Sequence, residues 1–171
     1  MRFPTVPACV LTLAACSPAL DWREFQPEGS GLVAGFPCKP DRHSRQVALA
    51  VQPVRMELLA CDAGGAKFAL GWFDVDDPAR VTAALGELRE RAAGNLGAAP
   101  GATEPAAVPG MTPNPQALRL RLEARQGDGV VLQQQTLLFS KGLRVYQATL
   151  LGPRIGADAA QAFFGALRFP A

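Results

Sequence analysis

The chain carries one histidine, His43, and that scarcity removes most chemistry at the outset. A Ser-His-Asp site or a histidine-rich metal centre has too few imidazoles to draw on. The hydrolase nucleophile sits in G-x-S-x-G, and "EGSGL" (Glu28 to Leu32) lacks the first glycine. Charge of one sign is missing as well. Seventeen Lys and Arg stand against fifteen Asp and Glu, a net +2, with the basic residues scattered, so there is no electrostatic footprint for nucleic acid. Uninterrupted apolar runs stop short of the roughly 20 residues that cross a bilayer. Phosphate-binding glycine patterns are absent too: "SKG" and "GAAPGAT" match neither fingerprint.

What is present describes a globular domain. With 171 residues, 49% hydrophobic and 19% charged, the chain is one domain's worth and too apolar for disorder. At this size folding buries roughly 68–70% of the unfolded surface, enough for an ordinary core.

The first segment reads as an address. Arg2 gives a small positive start, and Val6 to Ala15 is short, apolar and uncharged, as in the central region of a secretory signal. Pro4 and Pro7 run against the helix such a region forms. The stretch Leu13-Ala14-Ala15-Cys16 resembles the lipobox of bacterial lipoprotein signals. That resemblance implies a signal peptide at 1–15, cleavage before Cys16, and a diacylglycerol on its sulfur, so that membrane lipid is the first partner. Ser17 rather than Asp after the cysteine implies the outer membrane, with the domain facing the periplasm. Cys9 then leaves with the signal. Cys38 and Cys61 remain, an even pair in an exported chain, where disulfides persist. A redox or metal role would call for C-x-x-C spacing or further ligands.

Residues 16–30 read as a tether bringing Trp22 and Phe25 to the domain edge, and 31–171 as a single domain. Strands are expected at "GLVAGFP", "RQVALAVQ", "RMELLACD" and "AKFALGWFDV", the last two joined through an "AGG" turn. Asp77-Pro78 starts a helix, with Val81, Leu85, Leu88 and Ala92 on one stripe. Gly97 to Gln116 is a Pro/Gly/Ala-rich connector, long for a structureless loop. "ALRLRLEAR", "VVLQQQTLLF" and "LRVYQATLL" predict a three-strand meander, and "DAAQAFFGALRF" a closing helix. The later strands are apolar on both faces, which requires cover on two sides. The expected fold is α+β, a mostly antiparallel sheet flanked by helices.

"DWREF", "GLVAGFPCKP", the cysteine on the third strand, the Pro-started helix and "AFFGALRF" together resemble uncharacterised proteobacterial lipoproteins, and through them the PsbP-like/DcrB-like α/β/α superfamily. The resemblance covers most of Trp22 to Pro170 and implies an accessory or partner-binding role.

Candidate site residues are few. Arg119, Arg121 and Arg125 share one face of the best-patterned strand, a candidate contact surface for an anionic or acidic partner, or simply a charged edge. Gln133 and Gln135 share a face of the next strand, and whether they adjoin the arginines depends on register. "CKPDRHSRQ" reads as a solvated basic loop, the alternative being a cationic cluster that meets phosphate head groups or an acidic partner. "DVDDP" lacks the glycine and the twelfth-position glutamate of a calcium loop, so Asp74, Asp76 and Asp77 are assigned to capping and solvation. The expectation is a non-enzymatic envelope lipoprotein with an envelope protein partner and no cofactor, metal or nucleic acid. The alternative is a carrier of a small hydrophobic ligand, its pocket lined by Phe68, Trp72, Phe163 and Phe164.

Overall fold

A computed structural model describes residues 20–99 and 101–171; Cys16 and the rest of the expected signal lie outside them. The described elements are β1 (Arg23–Phe25), β2 (Ala34–Phe36), β3 (Asp41–Ala48), β4 (Pro53–Ala63), β5 (Ala66–Asp74), α1 (Pro78–Leu96), β6 (Thr103–Pro105), β7 (Leu118–Arg125), β8 (Val131–Lys141), β9 (Arg144–Gly152) and α2 (Ala157–Gly165). Seven strands form one sheet in the order β3-β4-β5-β9-β8-β7-β6, and β1 with β2 forms a separate ribbon. Every pairing is antiparallel. The fold is α+β.

Local chemistry sets the turns. Gly64 and Gly65 adopt φ of 58° and 78°, a left-handed pair that joins β4 to β5 and matches the strands' twist. Asp77 caps α1 by accepting a 2.8 Å hydrogen bond from the Ala79 amide, Pro78 occupies the first turn, and Gly97 ends the helix at φ 70°.

The alternation of the strands divides the core in two. On one face Phe68, Leu70, Tyr146, Ala148 and Phe139 pack with Phe163 of α2 and Phe36 of β2. On the other, Phe73, Val145, Leu138 and Leu120 lie under Val81, Leu85, Leu88 and Ala92 of α1. The two helices therefore cover opposite faces, as the doubly apolar strands require. Each large aliphatic side chain buried this way contributes roughly 1.5–3 kcal/mol.

Three segments differ from the sequence reading. "CKPDRHSRQ" is not a loop: Asp41–Ala48 is β3, the edge strand, and the strand expected from Arg45 to Gln52 ends at Ala48. Seven of its eight residues are exposed, and a strand wet on both faces shows no apolar alternation. Residues 20–30 are more than a tether, since Arg23–Phe25 is β1 and Trp22 packs edge-on against Phe68 at 5.7 Å. The connector contains β6, and it is tied down further by Thr112 N to Ser140 O (2.8 Å) and Asn114 Nδ2 to Thr82 Oγ1 (2.9 Å).

Candidate functional site

The arginine strand forms the most organised polar surface. Register places Arg121 opposite Gln135 and Glu123 opposite Gln133, so the arginines and glutamines share the face that carries α2. On the other flank β6 brings Glu104 opposite Arg119. Arg119 is held from three sides: its Nη2 donates to Gln135 Oε1 at 2.6 Å, Glu104 lies 3.7 Å away, and the guanidinium stacks 4.4 Å from the centre of the Phe164 ring. Its Nε is buried without an acceptor in hydrogen-bond range. Burial, and then the like charge of Arg121, lower the Arg119 pKa, while Glu104 acts the other way. Arg121 is exposed and binds Glu104 Oε1 at 3.0 Å.

Arg125 goes elsewhere, donating to the Gly129 carbonyl at 2.9 Å inside the β7–β8 hairpin. Two of the three expected arginines therefore act together and the third closes a turn. A shallow cleft of about 230 Å³ beside them is lined by Arg121, Glu123, Gln133 and Gln135. Such a surface offers forked donors and amides to acidic or amide-bearing groups. Glu104 was invisible to the strand pattern because β6 is only three residues long and ends in proline.

A second polar centre was missed. Arg144 makes a forked pair with Asp74 (2.7 Å to each oxygen) and donates to the Gly29 carbonyl at 2.6 Å. Its neighbour Tyr146 donates from its hydroxyl to the Ser30 carbonyl at 2.6 Å. These bonds fasten the loop before β2 to the end of the sheet. They border a cleft of about 550 Å³ with Lys141 and Phe169 on its rim. Of the remaining carboxylates of "DVDDP", Asp77 caps α1 as expected, and Asp76 pairs with Arg80 at 3.0 Å.

Cys38 and Cys61 form a disulfide with Cα atoms 6.1 Å apart, joining the segment after β2 to the C-terminal part of β4. Phe68, Trp72, Phe163 and Phe164 are all buried, and they spend their faces on one another and on neighbours: Phe68 meets Phe163 at 5.4 Å, and Phe163 meets Phe164 at 5.3 Å. Among the described residues no helix is long and apolar enough to cross a membrane. No group of three His, Cys, Asp or Glu side chains among them is placed to hold a metal ion. Compared with known proteins, the chain matches no family model and no curated sequence.

Proposed function

We propose that this chain is a non-enzymatic envelope lipoprotein, anchored in the outer membrane through an acylated Cys16 and binding a protein partner on its periplasmic side. The Cys38–Cys61 disulfide carries the reading. Such bonds persist in oxidising compartments, and the same segment-by-segment accounting leaves Cys16 of the Leu13-Ala14-Ala15-Cys16 stretch for lipid. A sheet between helices on opposite faces supports the likeness to the PsbP-like/DcrB-like superfamily, whose α/β/α arrangement is part of this proposal. The Arg119–Arg121–Glu104 surface, with its adjoining glutamines, supports partner binding through the sheet.

The alternative, carriage of a small hydrophobic ligand, draws its support away from the four packed aromatics. A groove of about 440 Å³ beside the disulfide is lined by Phe25, Cys38, Pro40 and Leu59, with Lys39 and Arg23 at its rim.

Intact mass of the membrane-extracted protein tests the anchor. The expected result is a chain beginning at Cys16 with added acyl mass, and release of the Cys16→Ser protein from the membrane fraction. An unmodified Cys16 ends the proposal. Crosslinking in cells followed by purification through a C-terminal tag then separates the two readings: a reproducible envelope protein supports partner binding, and a bound lipid or small molecule without protein supports the carrier.

A further inference from the structure

The two edges of the sheet are built differently. At one end β6 is three residues long and includes Pro105, which has no amide hydrogen to donate. At the other, β3 has β4 as its one sheet neighbour among the described residues and runs for eight residues, about 27 Å of extended backbone. Its ladder with β4 is unbroken from Asp41↔Ala60 to Ala48↔Pro53, so no bulge turns the edge away, and no proline interrupts it. Alternate N–H and C=O groups of such a strand point away from the sheet; the Ala48 carbonyl at its end accepts a hydrogen bond from Arg91 of α1, which leaves the stretch from Asp41 to Val47 as the edge on offer.

Charge says what fits there. Residues 39–57 hold four cations (Lys39, Arg42, Arg45, Arg55) against two carboxylates, Asp41 and Glu57. Glu57 is taken by Arg42 at 3.1 Å and Arg55 at 3.4 Å; a hydrogen bond from Ser44 first, and then those from the two arginines, lower its pKa against the opposing effect of burial. Among the described residues neither Lys39 nor Arg45 is in an ion pair, and both are exposed. The positive charge is gathered on the first half of this edge, where Lys39, Arg42 and Arg45 outnumber Asp41, and it suits a strand carrying the opposite sign.

We propose that the outer edge of β3 takes up an extended acidic segment of a protein partner as an eighth strand. Main-chain hydrogen bonds supply the attachment, and Lys39 and Arg45 select for acidic side chains. This rests on the partner-binding reading and names the surface and chemistry for it.

The test places a photo-crosslinking residue at His43, which is exposed on β3, and separately at Arg121, in the full chain expressed in cells. The expected result is a crosslink from position 43 to one protein, mapped to an acidic segment. A synthetic peptide of that segment then slows hydrogen exchange at alternate β3 amides of the purified protein, and Arg45→Glu weakens its binding roughly tenfold. Crosslinks from position 43 to lipid, to a second copy of the chain or to a segment without acidic residues overturn the proposal, as does a peptide that leaves the β3 amides unprotected. A crosslink from position 121 alone overturns the edge and leaves the partner reading standing. Silence at both positions removes both.

Discussion

Tyr146 on β9 reaches back to Ser30, 116 residues earlier, and donates a 2.6 Å hydrogen bond to its carbonyl. The ring is stacked on Phe139 at 4.9 Å, so the hydroxyl is delivered from a packed aromatic pair rather than a free rotor. Burial raises the phenol pKa to about 12, with the Arg144 charge opposing. Unfolded, the phenol ionises near 10. Its contribution to stability is therefore whole below about pH 10 and is lost as pH rises through about 12, a difference of about 2–3 kcal/mol. Tyr146→Phe is expected to cost about 1 kcal/mol at neutral pH. It should also flatten the loss of stability between these two values, measured by urea unfolding across an alkaline series. A variant curve that falls in parallel with the parent would count against this account.

The disulfide closes a loop with a sequence separation of 23. On the chain-entropy relation that is worth about 3 kcal/mol. Replacing both Cys38 and Cys61 by serine is expected to lower the Tm by roughly 6–12 °C for a domain this size. Calorimetry of the parent with and without reductant, with thiols counted, gives the same comparison without mutation. An unchanged Tm in the fully reduced chain would refute it.

Gly101 sets where β6 lies. A Cβ built there would collide with the Arg121 carbonyl, and Arg121 N bonds to Ala102 O at 3.0 Å beside it. Gly101→Ala is expected to push the segment off β7 at a cost of about 1–3 kcal/mol. Exchange at the Arg121 amide should accelerate while that of the β8–β9 amides holds. Uniform acceleration across the sheet would mean that β6 has no separate role.

Arg119 combines a largely buried side chain with a charge stacked on Phe164. Arg119→Ala is expected to destabilise by about 1–2 kcal/mol, through the lost stack and the unpaired Gln135 oxygen. Arg119→Met keeps the stem and should restore much of the stability while removing the charge. If the surface binds a partner, the methionine variant folds and loses crosslinking there; equal crosslinking in both proteins would reduce Arg119 to a packing residue.

Elements were legible where their cause is local. Asp77-Pro78 announces α1 through cap and φ alone, and the alternation of Leu118, Leu120 and Leu122 announces β7 because one face is buried and the other is not. Cys38 and Cys61 could be paired because cysteine arithmetic needs no coordinates. β3 was only half visible: Arg45–Ala48 fell within an expected strand, while Asp41–Ser44 are exposed throughout and leave no period in the sequence. β6 was hidden because Thr103–Pro105 is strand only by virtue of the neighbour that Gly101 lets it approach. The candidate surface was half visible. Three arginines on one side of a strand could be read, but Glu104 and Phe164 arrive from elements whose position depends on the whole sheet. The register that puts Arg121 opposite Gln135 is likewise a property of the folded meander.

β9 is formed by residues 144–152 yet sits fourth in a sheet of seven, between β5 and β8. A chain made from its N-terminus therefore completes β3, β4 and β5 while β5 still has an unfilled side. That vacancy persists until almost the whole polypeptide has emerged. The last long strand acts as a keystone: until it is set, two half-sheets exist, each with a sticky inner margin exposed to other chains. An open strand margin of that kind is a template for other chains, and the time it stays open is set by how long residues 75–152 take to appear.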